Sequence, residues 1–142
     1  MSHVLVLVGS ANEGFNTAMA DAATTFLSGA GHTVTRYPSL ASLPHYHQGF
    51  DGPGADVNVD DFRSAVSDSD TVLFVTPEYN GGPSSLIKNA LDAASRPRVD
   101  GVIHGKPAPV IGAHEHLGDG GYSTDVLEPL HTVSSELASV RD

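Results

Sequence analysis

The run Val4-Leu5-Val6-Leu7-Val8 is apolar at every position and stops at Gly9, and the pattern returns at Thr71–Val75 and Pro109–Ala113. A strand with one wet face alternates polar and apolar residues. A short unbroken apolar run bounded by turn residues fits a strand buried on both faces, as in a parallel sheet sandwiched by helices. A fourth segment, Thr33-Val34-Thr35-Arg36-Tyr37, mixes polar and apolar positions, which places it at a sheet edge.

Helical periods fill the intervals. Phe15, Met19, Ala22 and Phe26 recur at spacings of four, three and four, with Asp21 opposite, and predict a helix whose apolar stripe faces the sheet. A shorter helix over Asp61–Ser67 buries Phe62, Ala65 and Val66. Pro83 suits a first helical position, with Leu86, Ile87, Ala90, Leu91 and Ala94 as a buried face that ends before Pro97. Val126, Leu130, Val133 and Leu137 give a last helix beginning near Pro129. Residues 40–58, with Pro44, Gly49, Gly52, Pro53 and Gly54, hold no period and read as a long surface loop. Strand and helix alternate throughout, which predicts an α/β fold with a doubly wound parallel sheet, and such folds bind ligands at the carboxyl ends of their strands.

A chain of 142 residues fits one domain with a single core, burying about two thirds of its unfolded surface. Its formal charge of -10 repels nucleic acid and anionic lipid. The same field opposes a phosphate-bearing ligand, which must then be held by local donors. Cysteine is absent, so thiolate and disulfide chemistry are excluded and redox chemistry requires a bound cofactor. The first apolar run is too short for a membrane span or a signal peptide. No nucleic-acid or membrane partner is expected, and the expected setting is cytoplasmic.

Two turns carry the candidate chemistry. Gly9-Ser10-Ala11-Asn12-Glu13-Gly14-Phe15-Asn16 leads from the first strand into a helix, aiming backbone N–H groups and the positive end of the helix dipole at one point. It is either an anion site or an ordinary capped helix start; it lacks the spacing of the dinucleotide and nucleoside-triphosphate fingerprints. Thr76-Pro77-Glu78-Tyr79-Asn80-Gly81-Gly82-Pro83 follows the third strand. Its glycines permit close backbone approach, and Tyr79 offers a flat face to a planar ring. A ligand with a phosphate at one end and a ring at the other would span both turns.

Thr76 to Gly81, then Leu86-Ile87-Lys88-Asn89-Ala90-Leu91-Asp92 and Ser95-Arg96-Pro97, resemble the central signature of the NADPH-dependent FMN reductase family. Gly105-Lys106-Pro107 and Gly9-Ser10 through Asn16 are similar to its flanking motifs and extend the resemblance over most of the chain. It implies a flavodoxin-like fold, a homodimer or homotetramer, and transfer from NAD(P)H through FMN to a small-molecule electron acceptor: a quinone, an azo compound, a metal oxyanion or free flavin. It assigns the phosphate end of FMN to the loop holding Gly9, Ser10, Asn12, Gly14, Phe15 and Asn16. Pro77, Glu78, Tyr79, Asn80 and Gly81 are assigned to the ring. No side chain is assigned an acid–base role, since the cofactor carries the chemistry. An electron carrier that binds FMN without oxidising NADPH, or a flavin-less structural or regulatory subunit, is the alternative.

Two departures from the family stand out. Its phosphate loop is usually one residue longer and carries an arginine near the place of Asn12, so weaker FMN binding is expected. The family also continues to a fifth strand and a final helix, whereas this sequence stops at Asp142, which implies a sheet lacking those elements, with an edge covered by a partner subunit. The pairs His45/His47 and His114/His116 have a spacing that suits a shared metal, but with no accompanying third ligand in sequence they read as loop histidines. His114 or His116 alternatively approaches the cofactor edge.

Overall fold

The computed structural model describes residues 1–112. Four parallel strands, β1 (His3–Val8), β2 (Thr33–Arg36), β3 (Thr71–Val75) and β6 (Val110–Ile111), form a sheet in the order β2-β1-β3-β6. β1 registers Val4 against Thr71 and Val8 against Val75, and on its other side His3 against Thr33. Three helices pack on the sheet: α1 (Phe15–Gly29), α2 (Val57–Ser67) and α3 (Ser85–Ala94). Between β3 and α3 lies a small antiparallel hairpin, β4 (Glu78–Tyr79) and β5 (Gly82–Pro83).

The unbroken apolar runs are explained by two core clusters, one on each face of the sheet, where the sequence reading expected a single core. Alternate residues of a strand point to opposite faces. Leu5, Leu7, Val72 and Phe74 join Val59, Phe62 and Val66 of α2 and Ile87, Ala90, Ala93 and Ala94 of α3 on one side. Val4, Val6, Leu73, Val75 and Ile111 meet Met19, Ala20, Ala23 and Leu27 of α1 on the other. β2 alternates exposed and half-buried positions at the edge, where its mixed composition places it.

Several boundaries differ from the sequence reading. The buried stripe of α1 is Asn16, Met19, Ala20, Ala23 and Leu27. Phe15 is 47% exposed, Ala22 is exposed and Phe26 is half-buried. The helix is turned by about one position so that Ala20 and Ala23 meet the sheet, allowing a closer approach than a phenylalanine stripe would. Pro83 lies in β5, and Ser84 is the N-cap of α3, its Oγ accepting from the Ile87 N–H at 3.4 Å; a hydroxyl cap sets the helix start after the proline. Leu91 is 39% exposed.

α2 begins before Asp61 because Asp56 caps it, Oδ1 accepting from the N–H groups of Asn58 at 2.9 Å and Val59 at 3.1 Å. The segment 40–58 is more than a surface loop. Leu40 and Leu43 enter the core, with short 3-10 turns at Leu40–Ser42 and Gln48–Phe50. Asn89 fastens this segment to α3, donating to Pro44 O at 2.9 Å and accepting from the Tyr46 N–H at 2.8 Å. Of the predicted strand Pro109–Ala113, the described part runs to Gly112, and within it Val110 and Ile111 are in strand form, with Val110 61% exposed. The last predicted helix, the loop carrying His114 and His116, and the sheet edge beyond β6 lie outside the described residues.

Candidate functional site

The two candidate loops leave the carboxyl ends of adjacent strands and are locked together at their roots. The Gly9 N–H donates to Val75 O at 2.7 Å, and the Thr76 N–H donates to Ile111 O at 3.0 Å. Thr76 is buried and bonds twice through its hydroxyl, accepting from the Ser84 N–H at 3.0 Å and donating to Pro77 O at 2.8 Å. Gly112 passes the same carbonyl end: a Cβ there would stand 2.6 Å from Thr76 O. The ends of β1, β3 and β6 and the start of α3 thus share one close-packed junction.

Beyond that junction, Asn80 has φ 54° and Gly81 φ 76°, the two left-handed residues of a two-residue hairpin turn. This hairpin was missed in the sequence, although Asn-Gly between short flanking pairs is its usual signal. Tyr79, 60% exposed, and Asn80 stand on the hairpin's outer part, and Glu78 is exposed, while Pro77 is buried. Thr76, Pro77, Glu78, Gly81 and Gly82 line a cleft of about 500 Å³ together with Ile87, Leu91 and Val110 to Gly112. That volume is within the usual range of small-molecule sites, and its walls are largely apolar with backbone groups at the glycines.

The first loop lines a second cleft, of about 180 Å³, through Ser10, Ala11, Asn12, Glu13 and Thr17, faced by Arg36 to Leu40. The Ser10 hydroxyl donates to Asn12 O at 2.9 Å and that of Thr17 to the same oxygen at 3.2 Å, so the loop is tied back on itself. Gly14 stands at the N-cap of α1 without a side-chain cap, and no acidic residue occupies the first turn. That helix start presents backbone donors and the positive dipole end to an anion. Phe15 is exposed and Asn16 buried directly after it. Arg36, Tyr37 and Ser39 were not anticipated as cleft residues; their place at the carboxyl end of an edge strand was the available signal.

Of the predicted residues, Ser10 and Asn12 line one cleft and Pro77, Glu78 and Gly81 the other, while Gly9, Gly14, Phe15, Asn16, Tyr79 and Asn80 line neither. Their donor sets suit the two ends of a flavin mononucleotide, polar and dipolar at α1, apolar and flat at the hairpin. Among the described residues, no group of three or more His, Cys, Asp or Glu is placed to hold a metal. His47 caps the second 3-10 turn, Nδ1 accepting from the Gly49 N–H at 3.1 Å, with its ring 4.0 Å from that of Phe50. No helix among the described residues is long and apolar enough to cross a membrane.

The sequence matches the pattern of the NADPH-dependent FMN reductase family over residues 2–131. It is 36% identical over 110 residues to a 2-hydroxy-1,4-benzoquinone reductase of a Burkholderia species, and 33% identical over 109 residues to a quinone reductase of Pseudomonas putida. These matches take in 77% and 76% of this chain and 58% of each relative, so the chain spans less than two thirds of their length. Among solved structures, a flavoenzyme NAD(P)H:(acceptor) oxidoreductase of Paracoccus denitrificans superposes with a TM-score of 0.71 at 28% identity, over 99% of this chain and 72% of that one. A flavodoxin-type, WrbA-like protein of Agrobacterium tumefaciens superposes with a TM-score of 0.58 at 21% identity, over 99% and 97% of the two chains. The fold is flavodoxin-like.

Proposed function

The chain belongs to the NADPH-dependent FMN reductase family, and on that premise we propose that it is an FMN-dependent oxidoreductase that passes reducing equivalents from NAD(P)H to a quinone. The observation that carries this reading is the Asn80-Gly81 hairpin over an apolar cleft, rooted beside the end of β1, from which the loop to α1 leaves. Bound FMN supplies the two-electron chemistry. The chain's own groups bind and orient: Gly9, Ser10, Asn12, Gly14, Phe15 and Asn16 at the phosphate end, Pro77, Glu78, Tyr79, Asn80 and Gly81 at the ring.

In this reading Tyr79, largely exposed on the hairpin, covers a flat ring, and the backbone of Gly81 and Gly82 allows the ring close approach. The side chains of Ile87, Leu91 and Val110 give the cleft apolar walls. The reading extends to a cytoplasmic homodimer or homotetramer, which light scattering checks. Azo compounds, metal oxyanions and free flavin are further acceptors to be assayed beside a benzoquinone.

Titration of the purified protein with FMN, followed by flavin fluorescence, tests the reading. Saturable quenching at micromolar FMN, with NADPH oxidation that depends on both FMN and a benzoquinone, is the expected result. Absence of quenching even at millimolar FMN removes it. Quenching without NADPH oxidation leaves a flavodoxin-type electron carrier.

A further inference from the structure

A phosphate monoester at the start of α1 meets an unfavourable setting: the chain carries a net charge of -10 and Glu13 lines the same cleft. Among the residues lining the two clefts, Arg36 is the one cationic side chain. Its Nη1 donates to Asp21 Oδ1, and the two side chains are 34% and 64% exposed. Asp21 lies four residues after Thr17, which lines the cleft. Residues four apart share a helix face, so the cleft begins about one helical turn, about 5.4 Å, along α1 from the place where Arg36 is held. That is within the sweep of an arginine side chain pivoting at the end of an edge strand.

We propose that Arg36 is the cation for the FMN phosphate, exchanging Asp21 for the phosphate in the cleft between the β1–α1 loop and the turn after β2. The inference rests on the FMN reading above and adds a residue to it. The exchange is favourable in energy order: exposed ion pairs contribute little, because water and salt screen them and both side chains lose freedom. A guanidinium on a phosphate makes charge-assisted and geometrically matched bonds that are worth more. Ser10 and Thr17 donate their hydroxyls to Asn12 O, and residues 9–16 hold no lysine or arginine, so the guanidinium adds the charged donor that the loop itself lacks.

The test compares FMN with riboflavin, which lacks the phosphate, in Arg36→Gln and Asp21→Asn. Both variants break the same surface ion pair, so a purely structural role shifts them in the same direction. The proposal expects opposite signs. Arg36→Gln raises the FMN Kd by about 10- to 100-fold with riboflavin affinity unchanged, and Asp21→Asn lowers the FMN Kd by freeing the arginine. Unchanged FMN affinity in Arg36→Gln, equal losses for FMN and riboflavin, or parallel weakening in both variants overturns it. So does an effect confined to NADPH against NADH, which would give the arginine to the nicotinamide cofactor. A native protein that fails to bind FMN at all sinks the functional reading itself, and this inference with it.

Discussion

Gly9 and Ile87 meet where the two loops leave the sheet: a Cβ on Gly9 would stand 2.5 Å from Ile87 Cγ1 and 2.6 Å from Ser84 Oγ. The glycine is needed there for space, since its φ lies outside the left-handed region. The end of β1 consequently runs directly against the first turn of α3.

Gly9→Ala should therefore destabilise the protein by about 1–3 kcal/mol, the usual penalty of overpacking a close contact. Ile87 is 4% exposed and Ser84 is the cap of α3, so neither yields freely. Denaturant unfolding reads the loss, and a variant as stable as the native protein would show that α3 can slide away from β1.

Thr76 is the polar pin of the same junction. Thr76→Val keeps the shape but leaves the Ser84 N–H and Pro77 O without the hydroxyl that serves them, a cost of about 1–3 kcal/mol for buried groups stripped of a partner. Thr76→Ser should retain most of the native stability. Equal unfolding midpoints for the valine variant and the native protein would mean that water or a local shift replaces the hydroxyl.

Lys106, within the family-like Gly105-Lys106-Pro107, is a structural residue. Its Nζ donates to Ser67 O at 3.1 Å and also to Ser69 O, serving carbonyls at and just beyond the last turn of α2, where a cation also favours the helix dipole. Lys106→Met should cost about 1–2 kcal/mol of stability while leaving FMN affinity at the native value. A change in affinity without a change in unfolding midpoint would contradict that assignment.

The strands and the two loops were legible because their signals are local. An unbroken β-branched and aliphatic run such as Val4–Val8, too short for a helix and bounded by Gly9, fits a strand covered on both faces, and the glycine after it marks where the backbone turns. What was not legible depends on contacts between distant segments. The stripe of α1 could be drawn through Phe15 or through Asn16 with similar periodicity, and only the distance to the sheet selects the alanines. Leu40 and Leu43 looked like loop residues because the core they enter is built by α2 and α3, and the bonds that fasten their segment, at Pro44 and Tyr46, come from Asn89, more than forty positions away. Arg36 reads as one charge in an edge strand until the fold sets it across a cleft from Ser10 and Asn12.

Tyr37 ties that cleft to the core and makes stability sensitive to alkali. Its ring meets Phe62 edge-on, with centroids 5.3 Å apart and an interplanar angle of 79°. Burial, and secondarily the Asp61 carboxylate, raise its pKa above the ordinary value. A group raised in the folded state favours its protonated form there, so its contribution is fully present below the unfolded pKa of about 10 and is lost as pH rises through the higher folded value. Tyr37→Phe should thus match the native protein in urea midpoint at neutral pH, aside from a small polar difference, and exceed it above about pH 10. Tyrosinate absorbance should show one phenol fewer in the late, high-pH part of the titration. If the native and variant midpoints fall in parallel as pH rises, the phenol of Tyr37 ionises as freely in the folded protein as in water, and burial at the cleft floor exerts no hold on it.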